Sequence, residues 1–148
     1  MAKIGLTKKR IIHSLSVARK MKEMALEMHP DDEQFSEEMY TLGLLHDIGY
    51  EFIERQEDRS VIGGTILKAQ DYKYWKEVYY HGFPDCKYHS EALNILNEAD
   101  MTTGTDGEYI TAIERVRELQ NRYGSNSIQY KNAKALATEL NLINNNNY

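Results

Sequence analysis

The sequence predicts an all-α fold, a single-domain helical bundle, and three observations indicate it. Only two prolines, Pro30 and Pro84, interrupt the 148 residues. Apolar residues recur every three or four positions in segment after segment, which places them on one face of a helix. The sequence lacks the long alternation of apolar and polar residues that marks a half-buried strand. Because 41% of the residues are hydrophobic, the chain can bury one sizeable core, and we expect one domain over residues 1–143.

The first two predicted helices are joined by a short polar turn. The first is expected over about residues 8–28, where one apolar stripe follows the helical spacing. This stripe comprises Ile11, Leu15, Ala18, Met21, Ala25 and Met28. HPDD at 29–32 ends the helix and supplies an aspartate that can cap the next one. The second helix is expected over about residues 34–48 and stops near Gly49. Its inward residues are Phe35, Met39, Leu42 and Leu45.

Two shorter helices are predicted in the middle of the chain. SVIGGTILKAQ, at 60–70, follows a helical pattern although Gly63 and Gly64 each disfavour a helix by about 1 kcal/mol relative to alanine. Paired glycines there indicate a close contact with another helix. The aromatic segment DYKYWKEVYYHGF predicts a short helix before the break at Gly82 to Pro84. Its rings are expected to pack against the bundle or a second subunit, so a homodimer is one expectation, and stacking on a nucleobase is the alternative.

Three further helices are predicted in the last third of the chain. YHSEALNILNEA at 88–99 forms one, and the polar TTGTDG at 102–107 predicts a loop after it. YITAIERVRELQNRYG predicts a long amphipathic helix that ends at Gly124. Its residues Arg115 and Arg122 share a face and are expected to form interhelical salt bridges. A last helix is expected over about residues 127–143, and the asparagine-rich residues 144–148 are expected to fray.

The charge and cysteine content narrow the classes of function. A formal net charge of -5 and a pI of about 5.5 argue against binding of a nucleic-acid polymer, which generally requires a basic face. A local basic pocket could still hold a small phosphorylated ligand. The single cysteine, Cys86, cannot form an intrachain disulfide and indicates a reducing compartment. Because no apolar stretch approaches about 18 residues and no signal-like segment follows MAKIGLTKKR, we expect a cytoplasmic protein without membrane contact.

Residues 41–51, TLGLLHDIGYE, place His46 and Asp47 side by side inside an apolar run. An unpaired buried charge costs several kcal/mol or more, so this pair needs a partner, an exit to solvent or a metal ion. Neighbouring helix residues diverge by about 100°, so the two can share an ion only in the wedge between them. His13, in the first helix, and Asp100, at the end of ALNILNEAD, could reach that ion from other helices.

Two imidazoles and two carboxylates would suit Mn, Fe, Co, Ni or Zn, with Mg as a further possibility. Each residue also has a simpler interpretation. His46 and Asp47 could form an ion pair at a helix end, His13 could be a core histidine with satisfied hydrogen bonds, and Asp100 could cap a helix.

The order His13, His46-Asp47, Asp100 resembles the H…HD…D signature of the HD-domain superfamily of metal-dependent phosphohydrolases. HSLSVARKM is similar to the family's first helix, LLHDIGYE to its doublet helix, and LNEADMTTG followed by RVRELQNRYG to its closing segment. The resemblance covers about residues 10–124. It implies an all-α bundle with a central metal held by these four residues, and hydrolysis of a phosphate ester or anhydride, often in a nucleotide.

The chain departs from the family members that hold two metals through two additional histidines. The first of those histidines lies in a stretch resembling HxxxGAxIL, where RSVIGGTIL at 59–67 has Arg59 instead. Arginine cannot act as a neutral donor to a metal. His81, in YYHGF, resembles the second histidine, and His89 could replace the first. We therefore predict one divalent transition metal ion, with a second site doubtful and His81 directed at the substrate or at a metal-bound water.

The roles expected of the site residues follow from phosphoryl chemistry. A divalent ion can lower the pKa of a bound water from 15.7 to about 7, which makes it a nucleophile for phosphorus. Asp47 is the candidate to orient that water, and His81 the candidate to protonate the leaving oxygen, unless His81 only closes a turn. The candidate substrate contacts are Lys68, Arg10, Arg59, Glu51 and His81. Charged residues on helices more often form a solvated face, and a non-catalytic module that binds metal and nucleotide is the alternative function.

Overall fold

The computed structural model describes residues 8–51 and 59–144, with positions 50, 51 and 59 described by their backbone alone. Within these ranges the chain forms seven α-helices and a short 3₁₀ helix, Ile48–Glu51. The α-helices are α1 (Lys8–Met28), α2 (Glu33–Leu45), α3 (Arg59–Ala69), α4 (Trp75–Tyr80), α5 (Glu91–Met101), α6 (Ala112–Tyr123) and α7 (Ile128–Glu139). A single β-bridge, between Thr103 and Tyr109, is the only strand-like pairing among the described residues. The all-α prediction is confirmed. None of the described helices is long and apolar enough to cross a lipid bilayer.

Polar side chains cap the N-termini of four of these helices. Asp32 accepts a hydrogen bond from the Phe35 amide at 3.0 Å, which confirms the aspartate cap predicted from HPDD. Ser90 caps α5 and Ser127 caps α7 in the same way. At α6 the cap is reciprocal, because Thr111 and Glu114 each accept from the other's backbone amide. Each cap satisfies amides that the helix leaves unpaired and stabilises it by about 1 kcal/mol.

The buried face of α1 differs from the predicted stripe. Ile11 is 47% exposed and Met28 is 49% exposed, so both ends of that prediction are wrong. The buried residues of the helix are His13, Ser14, Val17, Ala18, Met21 and Ala25. The inward face therefore begins with a histidine and a serine, because this end of α1 faces a polar site instead of the apolar core.

Helix α2 ends at Leu45, three residues before the predicted end. His46 is the C-terminal cap and Asp47 lies in the turn that follows, before the 3₁₀ helix. The His46 ring donates from Nδ1 to the Gly43 carbonyl at 2.6 Å, within the last turn of α2. His46 and Asp47 thus stand at the junction of two helical segments, where successive side chains need not point about 100° apart as they do inside one helix.

Glycines allow two pairs of helices to approach closely. A Cβ atom added to Gly43 would lie 2.5 Å from the Cα atom of Ala18, so α1 and α2 are in backbone contact there. A Cβ atom on Gly64 would lie 2.6 Å from the Cα atom of Tyr79, which joins α3 to α4. The close contact predicted from Gly63 and Gly64 is therefore confirmed, whereas the one at Gly43 has no comparable signal in the sequence.

The apolar side chains form two separate cores. The bundle core joins helices α1 to α5, and its fully buried members include Val17, Met21, Met39, Leu42 and Leu96. The hairpin core joins α6 and α7 to the end of α5, and its members include Met101, Val116, Leu119, Tyr130 and Leu136. Members of the hairpin core, among them Met101, Leu119 and Leu136, also line a cavity that opens at the polar end of α1.

The remaining boundaries follow the prediction with small differences. Helix α5 begins at Glu91 instead of residue 88, because Ser90 takes the cap position. Helix α7 ends at Glu139, after which Asn141 adopts a positive φ of 60°. The predicted loop at 102–107 lies between α5 and α6. Fraying was predicted for residues 144–148, of which 145–148 lie outside the described part of the chain. The domain boundary at residue 143 also stays a prediction.

Candidate metal centre

Four parts of the fold bring three histidines and two aspartates together, and we call this set the His–Asp group. Its members are His13 of α1, His46 and Asp47 after α2, His81 after α4, and Asp100 of α5. The Nε2 atom of His13 lies 2.9 Å from Oδ1 of Asp100. The Nε2 atom of His46 lies 3.3 Å from Oδ2 of Asp47 and 3.4 Å from Oδ1 of Asp100. The Nε2 atom of His81 lies 3.7 Å from Oδ1 of Asp47.

Each of the three imidazoles is oriented by a main-chain carbonyl that accepts a hydrogen bond from its Nδ1 atom. The pairs are His13 with Gly104 (2.8 Å), His46 with Gly43 (2.6 Å) and His81 with Val78 (2.6 Å). With Nδ1 occupied as a donor, the Nε2 atom of every ring points toward the two carboxylates. A carbonyl acceptor behind the ring is the usual way in which proteins orient a metal-ligating histidine.

His46 is the most deeply buried member of the group. Its side chain has no exposed surface, and its Nε2 atom has no hydrogen-bond partner among the described residues. The nearby oxygens of Asp47 and Asp100 lie at ion-pair distance but not in hydrogen-bond geometry. A buried nitrogen without a partner costs about 1–3 kcal/mol, so it calls for an explanation. A cation between the ring and the two carboxylates provides one.

Charge inside the group is balanced between the rings and the carboxylates. Burial lowers the pKa of His46, but the charges of Asp47 and Asp100 outweigh it and hold that pKa well above the usual value. Burial likewise lowers the pKa of His13, which its hydrogen bond to Asp100 then raises above the usual value. Burial raises the pKa of Asp47 and of Asp100, yet the adjacent imidazoles hold both well below the usual range. Both carboxylates are therefore ionised at neutral pH and are available as ligands.

The donor atoms fit a divalent metal ion. One atom from each of His13, His46 and Asp47 lies within 4.8 Å of the others, and the same holds for His46, His81 and Asp100. Two ligands on one ion are at most about 4.4 Å apart, so only small movements separate these triplets from coordination. Neutral imidazoles with carboxylates suit Zn, Mn, Fe, Co or Ni. The sequence predicted that His81 contacts the substrate or a metal-bound water. In the structure it also stands close enough to act as a further ligand.

Neither Lys68 nor His89 is among the described residues that form the His–Asp group or line the cavity beside it. Lys68 is exposed, its Nζ atom lies 4.9 Å from the centre of the Trp75 ring, and it is not among the described residues that line the cavity at the site. His89 is exposed and belongs to neither triplet. The side chains of Glu51 and Arg59 lie outside the described part of the structure, so their assignment as substrate contacts stays a prediction.

A cavity of about 600 Å³ opens beside the group and extends to α6 and α7. His13, Asp47, His81 and Asp100 line the end of the cavity next to the group. Arg10, which the sequence nominates for a phosphate contact, lies on its wall together with Lys9. Both stand one turn before His13 on α1, and Lys9 pairs with Asp106 at 3.5 Å.

Sequence reasoning did not identify Asn97 as part of the site. This residue is only 5% exposed, and its side-chain oxygen accepts a hydrogen bond from the Gly82 amide at 2.9 Å. Gly82 has a φ of 84° and follows His81 directly, so Asn97 holds the turn that presents the histidine. A polar residue inside the apolar run ALNILNEA was the available signal.

The prediction of interhelical salt bridges by Arg115 and Arg122 is wrong. Both side chains pair with Glu118 of their own helix, at 3.3 and 2.8 Å. Spacings of three and four residues on one helix suffice for such pairs, so no second helix is needed. Both arginines also line the cavity.

Comparison with known proteins gives one positive result. A family model described as HD domain matches residues 10–130 of this chain. Neither the curated proteins nor the solved structures contain a match. The matched range includes every member of the His–Asp group.

Proposed function

Because this chain belongs to the HD domain family, which consists in general of metal-dependent hydrolases, we propose that it is a metal-dependent phosphohydrolase. Its substrate is a small phosphorylated metabolite, with nucleotides as the first class to test, and the reaction cleaves a phosphate ester or anhydride. The observation that carries the proposal is the buried Nε2 atom of His46, which faces two ionised carboxylates without a hydrogen bond.

The residues that would hold the ion are His13, His46, Asp47 and Asp100. When bound there, a divalent ion supplies Lewis-acid chemistry, because it polarises a phosphoryl oxygen and makes water a stronger nucleophile at neutral pH. The chain itself supplies the orientation, since three main-chain carbonyls hold the rings. One ion is proposed, and its identity is open among Mn, Fe, Co, Ni, Zn and Mg.

The two oxygens of Asp47 face different neighbours. Oδ2 lies 3.3 Å from Nε2 of His46, whereas Oδ1 lies 3.7 Å from Nε2 of His81 on the cavity side. One oxygen can therefore act as a ligand while the other accepts a hydrogen bond from the attacking water. Orientation of a nucleophile in this way is worth several kcal/mol of the barrier.

His81 is the proposed general acid. Its Nδ1 atom donates to the Val78 carbonyl, so a proton for the leaving oxygen has to come from Nε2, the atom that faces the cavity and Asp47. Histidine is the side chain most often used for such transfer, which contributes about 10²–10⁴-fold. Arg10, on the cavity wall one turn before His13, is the proposed phosphate contact at this end of the cavity.

The proposal is tested by metal analysis and hydrolysis on the same protein samples. Wild type, His46→Ala, Asp47→Ala and the control His89→Ala are purified, loaded with Mn or Co, and assayed on phosphomonoesters, phosphodiesters and nucleotides. We expect about one metal per chain in wild type and in His89→Ala, loss of metal in the other two variants, and hydrolysis that chelator abolishes.

Two results would count against the enzyme. If no ion binds after exposure to Mn, Fe, Co, Ni and Zn, the His–Asp group is an ion-pair network and the hydrolase proposal falls. If metal and nucleotide bind without turnover of any substrate, the chain is the non-catalytic regulatory module instead.

A further inference from the structure

The part of the cavity formed by α6 and α7 is not used by the proposed reaction. On α6, Arg115, Leu119 and Arg122 line it at spacings of four and three residues, which places them on one face. On α7, Gln129 and Asn132 line it with the apolar residues of the hairpin core. This wall therefore presents two guanidinium groups and two amides next to an apolar base.

Positive charge on this wall exceeds negative charge. Arg115 and Arg122 share one carboxylate, because both bond to Oε1 of Glu118. Two guanidinium groups balanced by one carboxylate leave one positive charge in this set of three side chains. The Arg115 side chain is only 17% exposed, so solvent screens its charge less than it would at a free surface.

Within the described ranges these arginines bond to Glu118 and not to the two carboxylates of the His–Asp group. Neither of them pairs with Asp47 or Asp100 within the described ranges, so both lie more than 4.0 Å from those oxygens. Arg115 and Arg122 are separated by about 10 Å along α6, since each residue adds 1.5 Å. The phosphate that is cleaved has to reach the His–Asp group, and α6 is left to contact another part of the same molecule.

We propose that the α6 and α7 wall binds a second anionic group of the substrate, a phosphate or carboxylate other than the group that is cleaved. Planar guanidinium groups bind such anions through paired hydrogen bonds, and the amides of Gln129 and Asn132 can add single ones. The substrate class is therefore a small metabolite with two anionic groups. This inference rests on the proposed function only for the identity of the first anionic group.

The inference is tested by binding of matched ligands to the full-length protein. Titration calorimetry compares fructose 1,6-bisphosphate with fructose 6-phosphate, and adenosine 3′,5′-bisphosphate with adenosine 5′-monophosphate, in chelator and with Mn. On at least one of the two skeletons we expect the bisphosphate to bind about 10-fold to 100-fold more tightly, the range that one charged hydrogen-bonded contact gives. In Arg115→Gln and Arg122→Gln this ratio falls toward one.

Arg117→Gln is the matched control. Arg117 is exposed on the same helix and is not among the described residues that line the cavity, so the substitution removes equal charge from the other face. The control keeps the wild-type ratio if the contact is local. Arg115→Lys, which keeps the charge but not the planar fork, should give an intermediate ratio. Thermal melts of each variant verify that it is folded.

The inference is overturned if bisphosphates bind no better than monophosphates on both skeletons. It is also overturned if Arg117→Gln lowers the ratio as much as Arg115→Gln does, because the effect would then come from net charge. Failure of the proposed function looks different. A protein that hydrolyses nothing can still bind bisphosphates more tightly than monophosphates in chelator. Equal binding of the two in a protein that hydrolyses a phosphate would refute only the anion site on the α6 and α7 wall.

Discussion

His13 and His46 have to change protonation when a metal ion binds. His13 donates from Nδ1 to Gly104 and from Nε2 to Asp100, which requires the imidazolium form in the metal-free protein. The charges of Asp47 and Asp100 also hold the pKa of His46 well above its usual value, although burial acts in the opposite direction. Coordination needs neutral rings, so binding of a metal has to release protons.

The stabilisation by metal should therefore increase with pH. A raised folded-state pKa means that the ion pairs of His46 stabilise the metal-free fold below about pH 6.5, the usual histidine value, and are lost as the pH rises through the folded-state value. Both aspartates have lowered pKa values, so their contribution stays constant above about pH 4. We expect the increase in Tm caused by Mn to be larger at pH 8 than at pH 6. An equal increase at both pH values, or any increase in His46→Ala, would contradict this.

Asn97 is expected to act through His81 without contacting the metal. Its oxygen is the acceptor for the Gly82 amide, and it is 5% exposed, so Asn97→Ala leaves that amide without its partner. Partners of this kind typically contribute about 10-fold to 100-fold to activity at metal sites. We expect kcat to fall in that range while metal content stays at the wild-type value. Asn97→Asp, which keeps an acceptor oxygen, should recover part of the activity, and full activity in Asn97→Ala would refute the role.

At the scale of the helices, the contact between α1 and α2 fixes the spacing between His13 and the segment that carries His46. Gly43 lies against Ala18 so closely that an added Cβ atom would be 2.5 Å from its Cα atom. The same glycine supplies the carbonyl that orients His46, and α1 carries His13. Separation of these two helices therefore moves two members of the His–Asp group apart.

Gly43→Ala should reduce both stability and metal binding. Overpacking of a close contact typically costs about 1–3 kcal/mol, which urea denaturation can measure. Gly64→Ala is the matched control, because it overpacks the contact between α3 and Tyr79 and so lies away from α1 and α2. We expect both variants to lose stability but only Gly43→Ala to lose metal affinity. Equal metal affinity in the two variants would show that the helix spacing does not govern the site.

The helices themselves were largely predictable from the sequence, whereas the face that α1 buries was not. The apolar spacing in α1 is compatible with two overlapping faces, and Ile11 belongs to the face that is exposed. The deciding factor was His13, which turns inward because Asp100 and Gly104 offer it partners from segments about 90 residues away. Distant partners of this kind leave no mark on the local pattern. The end of α2 was also predicted three residues too late, since apolar residues continue to Ile48 although the helix ends at Leu45.

At the scale of the whole molecule, each of the two apolar cores supports a different part of the site. All members of the His–Asp group lie on or directly after helices of the bundle core, whereas the cationic wall of the cavity belongs to the hairpin core. The sequence indicated four members of the group in order, because HD and its partners fall in family-like contexts. It did not indicate the cavity, since a space between two cores depends on how α6 and α7 dock.

Leu136→Ala should loosen the hairpin and leave the metal site in place. Leu136 is 4% exposed in the hairpin core, and a truncation of this kind typically costs about 2–5 kcal/mol. Hydrogen exchange should speed up in α6 and α7 more than in α1 and α2. Metal content should be unchanged while the preference for bisphosphates weakens. If metal were lost as well, the two cores would unfold as one unit, and the separation inferred from their packing would be wrong.

The three carbonyls behind the histidine rings have a consequence for ion selectivity. Folding orders the rings before any ion arrives, so little rotational entropy is lost on coordination and the donor separations are set by the backbone of three different segments. Such a rigid frame tolerates a narrow range of ionic radii. We expect the smaller ions Mn, Fe, Co, Ni, Zn and Mg to bind, and Ca²⁺, which needs oxygen ligands at 2.3–2.6 Å and a flexible shell, to be rejected.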